Sequence, residues 1–178
     1  KAITSLLSVD HVLERVLEAA TYLANAEDCT IWLPKEGSDE LKPYHQTGQE
    51  EREGAREGSF VGTQVSQVMR TGRPLRQSFF TGRGIKVKPG AFARAVLYVP
   101  LKLRGVTVGV LEVTNHEQRR SFSHRDEFLL SFLADYAAIA MENARVFQAA
   151  DAALASGLEE LQTQIDITRL ITSTLDLN

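Results

Sequence analysis

Apolar residues recur with helical spacing near the start of the chain. Between Val9 and Asn25 they fall three or four positions apart, which places them on one side of a helix: Leu13, Val16, Leu17, Ala20 and Ala24. Asp10 stands where an N-cap residue would begin this helix. The pattern predicts a helix that packs one face against a sheet.

Two pairs of segments have the composition of strands. Cys29 to Leu33 and Leu41 to Gln46 are short and are separated by a polar turn, which predicts an antiparallel pair. Ala95 to Leu103 and Val106 to Asn115 are longer and more apolar, and only the dipeptide Arg104-Gly105 separates them. A two-residue connection with glycine is typical of a tight hairpin. We expect the longer pair to be central in the sheet.

The segments between these two pairs are more polar. Gln49 to Gly58 carries charges and glycines without an apolar period, which predicts an exposed loop. Residues 61–69 have helical spacing and indicate a short helix that ends before Gly72. Phe79 to Gly90 contains three glycines and a proline among basic residues, and it is predicted to be a surface loop.

A long helix is predicted from Ser123 almost to the C-terminus. Ser123 and Asp126 have the spacing of a capping box. Alternating steps of three and four residues then indicate a heptad seam, which contains Leu130, Leu133, Ala137, Ala140, Ala144, Phe147, Asp151, Leu154, Leu158, Leu161, Ile165 and Thr168.

The two halves of this helix have different surroundings in the predicted fold. The half before residue 148 can pack on the sheet, whereas the half after it has no sheet to cover. We therefore expect a globular domain over residues 1–147 and a coiled-coil linker over residues 148–178 that leads to a following domain. The linker is expected to pair with the same helix of a second chain through Phe147, Leu154, Leu158, Leu161 and Ile165.

Composition narrows the class of protein. The 178 residues are 43% hydrophobic, which is enough for one full core. Twenty basic and 23 acidic residues leave a net charge of -3, so no global charge favours nucleic acid or a membrane surface. Apolar runs are too short to span a bilayer, and the single cysteine, Cys29, favours a reducing compartment. We expect a cytoplasmic location.

No catalytic or metal-binding motif emerges from the sequence. His116-Glu117 begins like a zinc protease signature, but Arg120 stands where the second histidine ligand is required. Glycines in the spacing of a phosphate-binding loop, a dinucleotide-binding loop or a nucleophile elbow are missing. A buried structural thiol is favoured over a nucleophile for Cys29. We expect a protein that is not an enzyme over these residues and that carries neither a metal nor a fixed cofactor.

The chain resembles the GAF family of sensory domains from about Val9 to Phe147, and the last segment of this range is the most specific part. The resemblance rests on Pro100-Leu101 to Gly105, on the strand GVLEVTN from Gly109 to Asn115, and on the segment from Phe122 to Phe147. It implies an α+β fold with a six-stranded antiparallel sheet, flanking helices and a long C-terminal signalling helix. It further implies that one face of the sheet carries the terminal helices and that the other encloses a small-molecule pocket.

One motif of the family is present in part. Cyclic-nucleotide-binding members often carry an Asn-Lys pair followed by Phe and then by Asp-Glu. Asn115, Phe122, Asp126 and Glu127 match this motif, whereas His116 occupies the lysine position. An ion pair from that position to Asp126 would then depend on protonation of the histidine. In the alternative interpretation Phe122 packs on the sheet, and the two carboxylates stabilise the helix N-terminus.

Charge is segregated along the chain. Between Gly58 and Leu111 every charged residue is basic. If this segment covers the pocket, it favours an unidentified small anionic ligand. Candidate ligand-binding residues are Thr63, Gln64, Arg76, Ser78, Arg94, Tyr98 and Asn115. In the alternative interpretation the basic side chains are solvated and are neutralised by the acidic loop around Glu50.

The resemblance implies a regulatory module that senses a small molecule and dimerises within a multidomain signalling protein. A two-component sensor histidine kinase is the commonest setting for such a module. The alternatives are a ligand-free dimerisation scaffold and the input domain of a cyclic-nucleotide enzyme or a transcription regulator. Contact with nucleic acid is disfavoured, because the basic segment lacks interleaved aromatic residues. The expected partners are a second copy of the chain and a small molecule, with no membrane contact.

Overall fold

The computed structural model describes residues 8–35, 37–38, 40–45, 63–79, 85–88 and 91–175. Three helices and seven strands follow one another along these residues: α1 (Val9–Ala24), β1 (Asp28–Pro34), β2 (Leu41–His45), α2 (Thr63–Thr71), β3 (Leu75–Ser78), β4 (Ile85–Lys88), β5 (Ala91–Ala93), β6 (Ala95–Leu103), β7 (Val106–Asn115) and α3 (His124–Leu175).

The main sheet is antiparallel and has the strand order β2-β1-β7-β6-β3. The expected α+β class is therefore confirmed. Within the described ranges this sheet has five strands and not six, because β4 pairs with β5 as a separate ribbon. The prediction that Phe79 to Gly90 is a loop is wrong for β4, whereas the predicted loop from Gln49 to Gly58 lies outside the described residues.

The turn between β6 and β7 forms as predicted. Arg104 and Gly105 both have positive φ, 51° and 83° respectively. This conformation matches the twist of two antiparallel strands, and glycine adopts it without steric cost. The two longest strands, of nine and ten residues, are thereby paired at the centre of the sheet.

Each end of α1 is capped by a side chain or a left-handed residue. Ser8 and not Asp10 is the N-cap, because its hydroxyl accepts a hydrogen bond from the His11 N–H at 3.2 Å. Asp10 lies in the first turn, where its charge favours the helix dipole. The helix ends at Ala24, and its C-cap Asn25 is left-handed, with a φ of 46°.

Both faces of the central strands are buried, which explains why their sequences are almost continuously apolar. On one face α1 and α3 cover a core that includes Ile31, Leu97, Leu111 and Leu130. On the other face α2 covers a smaller core. We call these the terminal-helix face and the α2 face of the sheet.

The long helix α3 has two kinds of surroundings. Leu130, Ala134, Ala137 and Ala138 are buried against the terminal-helix face, where small alanine side chains allow close approach. From residue 145 to residue 165 every described side chain is exposed. The helix nevertheless continues without interruption for 52 residues, as its capping box and periodicity predict.

Candidate functional site

The α2 face contains a buried polar cluster on the two central strands. Tyr98 of β6 lies directly opposite Glu112 of β7, and both side chains are buried. The indole N–H of Trp32 donates a hydrogen bond to the Glu112 carboxylate at 2.6 Å. Burial raises the pKa of the Tyr98 hydroxyl, and the neighbouring Glu112 charge raises it further, so that the phenol stays protonated.

The helix α2 lies over this cluster. Val65 and Val68 are buried against Val96, Tyr98 and Val110 of the sheet. Gln64, at the start of the helix, is half-buried, and Thr63 is exposed. The α2 face therefore presents an apolar surface around one carboxylate, one phenol and one indole.

Arg94 lies between β5 and β6, after Ala93 of the α2 core and before Ala95 of the terminal-helix core. Its backbone N–H donates to the carbonyl of Asn115 at 2.7 Å, which fixes the start of β6. Its side chain is half-buried, and among the residues that the structure describes its Nε has no hydrogen-bond partner. A buried donor of this kind requires an acceptor, such as the oxygen of an anion.

Three of the sequence-predicted ligand residues lie elsewhere. Successive residues of a strand face opposite sides of a sheet. Arg76 and Ser78 pair with Leu97 and Ala95, which belong to the terminal-helix core. Asn115 is also on that face, and it is fully buried. The structure therefore brings none of these three together with Tyr98.

Asn115 connects the sheet to the loop before α3. Its side-chain carbonyl accepts from the Glu27 N–H at 3.1 Å, and its amide donates to the Arg120 carbonyl at 3.1 Å. All of these groups belong to the protein backbone or to Asn115 itself. The contacts of this motif residue thus fix the path of the loop.

The partner of Asp126 is Arg120. The Arg120 Nη2 donates to both carboxylate oxygens, at 3.0 and 3.1 Å, and its Nη1 donates to the Ala24 carbonyl at the end of α1. The Ser123 N–H and hydroxyl also donate to Asp126, which completes the predicted capping box. Burial acts to raise the pKa of Asp126, but these donors and the Arg120 charge hold it below its usual value.

His116, at the lysine position of the motif, does not pair with Asp126 in the structure. The His116 ring lies 3.2 Å from the Asp28 carboxylate and 3.0 Å from the Phe92 carbonyl. The hydrogen bond to Asp28 is the main reason why the pKa of His116 is raised, although burial opposes it. Arg120, which lies five residues after Asn115 and is permanently charged, therefore forms the ion pair with Asp126 that the lysine of the motif would form.

Glu27 holds the chain at the end of β7. Its carboxylate accepts the backbone N–H groups of His116, Glu117 and Gln118 at 2.6, 2.9 and 2.6 Å. Burial acts to raise the pKa of Glu27, but these three donors outweigh it and lower the pKa. The turn between β7 and α3 is therefore built around a carboxylate that the sequence analysis did not single out.

Glu127 and Phe122 connect α3 to the edge strand β3. The Arg76 Nε donates to the Glu127 carboxylate, and its Nη1 donates to the Phe122 carbonyl at 3.1 Å. The Phe122 ring is buried in the terminal-helix core. The interpretation of Phe122 as a packing residue is confirmed, and Glu127 acts as the partner of Arg76.

Catalytic groups are scarce in the described part of the chain. Cys29 is buried, and burial raises its pKa, so the thiol is protonated and unreactive. No group of three or more His, Cys, Asp or Glu side chains that could hold a metal ion is found among the described residues. No described helix combines the length and the apolar character needed to cross a membrane.

Comparison with known proteins identifies the family. A family model for the GAF domain matches residues 7–142. The chain belongs to the GAF family. The second GAF domain of DevS from Mycobacterium smegmatis is similar in structure, with a TM-score of 0.59, 20% identity and coverage of 79% of this chain and 98% of that one.

Two further solved GAF domains are similar to this chain. One is from a GAF domain/HD domain protein of Geobacter sulfurreducens, with a TM-score of 0.62, 16% identity and coverage of 82% of this chain and 99% of that one. The other is the GAF domain of a two-component sensor histidine kinase from Bacillus halodurans, with a TM-score of 0.60, 16% identity and coverage of 80% and 99%.

The polar cluster around Glu112 was missed by the sequence analysis. A single acidic residue within the apolar run of β7 was the available signal. Alternation along the strand places Glu112 on the opposite face from its buried neighbours Leu111 and Val113. The sheet face that Glu112 occupies becomes evident only when the pairing with Tyr98 is known.

Proposed function

We propose that this GAF domain is a non-catalytic sensory module of a multidomain signalling protein. It binds a small anionic molecule on the α2 face and passes the change to a following domain through α3. The proposed setting is the cytoplasmic part of a two-component sensor histidine kinase. The similarity to a GAF domain from such a kinase supports this setting.

The continuity of α3 is the observation that carries this proposal. One helix carries the motif residues Asp126 and Glu127 in its first turn, packs on the sheet, and continues with exposed side chains well beyond the domain. A helix transmits a rotation or shift of its first turns to its last ones, because its backbone hydrogen bonds make it stiff. A two-state packing of this helix is the minimum that allosteric control requires.

The edge strand β3 connects the two faces of the sheet. Leu75 packs in the α2 core, and the next residue, Arg76, binds Glu127 and the Phe122 carbonyl at the start of α3. A ligand that shifts α2 against β3 would therefore act on the first turn of α3. This route supports sensing on the α2 face, and it requires no ligand contact with Arg76.

The anionic character of the ligand is supported by Arg94 and by the basic segment around it. The Arg94 Nε needs an acceptor, and charged residues between Gly58 and Leu111 are all basic. On the α2 face, Glu112 is already bonded to the Trp32 indole. The paired helices of two copies, joined through the linker, complete the proposed module.

Ligand binding is tested by thermal denaturation of the 178-residue chain with a panel of small molecules. The panel holds cyclic AMP, cyclic GMP, ADP and citrate, with spermidine as a cationic control. We expect at least one anion to raise the melting temperature in a concentration-dependent way. The variant Arg94→Gln should lose this rise, whereas Arg119→Gln, at an exposed arginine, should keep it.

Two results would contradict the proposed ligand class. If spermidine alone raised the melting temperature, the Glu112 carboxylate and not Arg94 would select the ligand. If no member of the panel raised the melting temperature, the result would favour the alternative in which the domain is a ligand-free dimerisation scaffold.

A further inference from the structure

His116 follows directly after β7, and its ring contacts groups on three strands. The Nε2 atom lies 3.2 Å from the Asp28 carboxylate of β1 and 3.1 Å from the Thr114 hydroxyl of β7. The Nδ1 atom lies 3.0 Å from the Phe92 carbonyl of β5. Strands β1 and β7 belong to the main sheet, whereas β5 belongs to the separate ribbon that it forms with β4. The ring therefore joins this ribbon to the main sheet.

Both ring nitrogens of His116 face an oxygen atom that only accepts hydrogen bonds. A carboxylate and a backbone carbonyl have no hydrogen to donate. The ring can bond to Asp28 and to Phe92 at the same time only when both nitrogens carry a hydrogen, as they do in the protonated imidazolium. A neutral imidazole has a single N–H and must lose one of these two bonds. The number of bonds that the ring makes therefore depends on its charge.

The bond that a neutral ring loses is the one to Phe92. A hydrogen bond to an ionised carboxylate is roughly twice as strong as one to a neutral group, so the single N–H stays on Nε2 and donates to Asp28. The Thr114 hydroxyl can donate or accept, so it does not force either choice. The Nδ1 lone pair then faces the Phe92 carbonyl oxygen, which is repulsive. Phe92 is 40% exposed, so water can bond to the released carbonyl.

We infer that His116 is a proton-dependent link, which holds β5 to the main sheet when the ring is charged and releases β5 when the ring is neutral. The proton is thereby a second input of the domain, separate from any small anion. The inference goes beyond the proposed function, because it stands on the contacts of the ring and requires no ligand.

Acidic groups next to the ring favour its charged form. Asp28 and Glu27 face the ring from the start of β1, and Glu27 also accepts the His116 backbone N–H at 2.6 Å. The hydrogen bond to Asp28 is the largest cause of the raised pKa of His116; burial opposes it, whereas the Phe92 carbonyl and the two acidic charges add to it. Because an unperturbed histidine has a pKa of about 6.5, the release of β5 falls above this pH.

Basic residues of the ribbon act in the opposite direction. Lys86 lies opposite Phe92 in the pairing of β4 with β5, and Arg94 follows Phe92 by two positions. Their positive charges favour a neutral ring. The exposed Glu117, next to His116 along the chain, favours a charged ring. The acidic neighbours prevail, since the pKa of His116 is raised.

The link controls the residues that lead from β5 into β6. Ala93 is buried in the α2 core, and the Arg94 N–H donates to the Asn115 carbonyl at 2.7 Å. The Arg94 carbonyl in turn accepts the Phe79 N–H at 2.7 Å, at the end of β3. When the neighbouring bond to Phe92 is lost, these two backbone hydrogen bonds open more often.

NMR of the 178-residue chain, labelled with ¹⁵N in the histidine rings, measures the charge and the tautomer of His116 from pH 5.5 to pH 9. The two ring nitrogen shifts distinguish the imidazolium, the Nε2–H form and the Nδ1–H form. We expect the imidazolium at low pH and the Nε2–H form at high pH. A ring that does not change charge in this range would overturn the inference. A neutral form with its hydrogen on Nδ1 would also overturn it, because the bond to Phe92 would then persist.

Amide hydrogen exchange of the same chain measures the release of β5. After correction for the intrinsic effect of pH on exchange, the protection of the Arg94 and Phe79 amides should fall about tenfold as His116 loses its proton. Amides in the middle of β6 and β7 should keep their protection, which separates a local release from a loss of global stability. Protection of the Arg94 amide that does not change with pH would overturn the inference.

Two histidine variants form a matched pair for this measurement. Glutamine does not titrate in this range, so His116→Gln should make the protection of the Arg94 amide independent of pH. His11 lies in the first turn of α1, and His11→Gln should keep the pH dependence of the wild type. The same pH dependence in His116→Gln as in the wild type would overturn the inference.

The variant Asp28→Asn tests the link without replacing the histidine. It removes the carboxylate nearest to Nε2, so the fall in Arg94 protection should move to lower pH. An unchanged midpoint would overturn the role of Asp28 in the link. Since these measurements contain no ligand, a negative result in the ligand panel leaves the inference standing, and a failed link leaves the proposed anion site standing.

Discussion

The Arg120 side chain contacts both α1 and α3. It donates to Asp126 at the start of α3 and to the Ala24 carbonyl at the end of α1. Its positive charge is favourable at a helix C-terminus, where backbone carbonyls lack partners. A single side chain thereby joins the two helices that cover one face of the sheet.

Replacement of Arg120 by glutamine should lower the free energy of unfolding by about 1–2 kcal/mol, because buried Asp126 loses its counter-charge and the Ala24 carbonyl loses a donor. The magnitude is moderate, since the Arg120 side chain is 38% exposed. The free energy of unfolding of Arg120→Lys should lie between those of the wild type and Arg120→Gln, because lysine keeps the charge but lacks the planar guanidinium group that bonds both carboxylate oxygens. Urea denaturation at a fixed protein concentration measures this difference.

The matched control is Arg119→Gln, at an exposed position one residue earlier. It should change the free energy of unfolding by less than about 0.5 kcal/mol. Equal effects of the two substitutions would show that Arg120 does not join the helices.

His116 should make stability depend on pH. Its pKa is raised chiefly by the hydrogen bond to Asp28, with further contributions from the Phe92 carbonyl and the charges of Asp28 and Glu27. A raised pKa means that the protonated histidine stabilises the folded state. This stabilisation is fully present below about 6.5, the pKa of an unfolded histidine, and is lost as pH rises through the higher folded value.

The variant His116→Gln isolates this effect. The difference in free energy of unfolding between wild type and variant should be largest near pH 5.5, where histidine is charged in both states, and should decrease toward pH 9. Urea denaturation across this range measures it. A difference that does not change with pH would contradict an ionised His116 in the folded protein.

At the scale of elements, two glycines of the central hairpin are required for different reasons. Gly105 has a φ of 83°, but a Cβ there would meet nothing within 4 Å. Gly109 needs no positive φ, but a Cβ there would lie 2.7 Å from the Leu33 Cδ2 and 2.8 Å from the Trp32 carbonyl oxygen. The first glycine serves the turn, and the second allows β1 to approach β7.

Substitution of either glycine by alanine should therefore destabilise the folded protein, but by a different mechanism at each position. Gly105→Ala should cost roughly 1–2 kcal/mol, the strain of a left-handed non-glycine residue. Gly109→Ala should cost about 1–3 kcal/mol, because backbone must move to admit the methyl group. Only Gly109→Ala should perturb the Trp32 fluorescence of the folded protein. An unchanged spectrum would contradict the close approach.

At the scale of the whole molecule, the dimer is proposed to form by pairing of the α3 helices of two copies through their exposed apolar residues. The double variant Leu158→Glu/Leu161→Glu should dissociate the dimer, because it places two charges on each helix of a dry interface. The expected product by sedimentation velocity is a folded monomer.

A control variant places the same charges on the other side of the linker. Ala152→Glu/Ser156→Glu should remain dimeric, since these positions lie on the opposite side of the helix from Leu158 and Leu161. A dimer that survives Leu158→Glu/Leu161→Glu unchanged would contradict pairing through this part of the helix.

Most elements of this fold could be predicted from local sequence patterns. The hairpin at Arg104-Gly105, the capping box at Ser123 and the length of α3 depend on neighbouring residues, and all three are confirmed. The short strands β3, β4 and β5 were missed, because short segments near glycines and prolines form strands only when a partner lies beside them, as β6 does for β3 and as β5 does for β4.

The candidate site was less predictable, because both faces of the central strands are buried. Continuous apolar runs carry no alternation that would assign a face. Arg76 and Tyr98 were therefore grouped together in sequence, although they face opposite sides of the sheet. Likewise, the sequence offered His116 only as a conditional partner of Asp126, and it did not indicate that Arg120 is the partner.

The sequence by itself determined which segments form helices and strands, because periodicity, turn residues and caps act over a few neighbouring positions. Tertiary structure alone decided which side chains meet, since contacts such as Arg120 to Ala24 and Arg76 to Glu127 join residues 96 and 51 positions apart. The packing of α1 and α3 on one face of the sheet determines these partners. As a result, Asp126 pairs with the permanently charged Arg120 and not with the titratable His116.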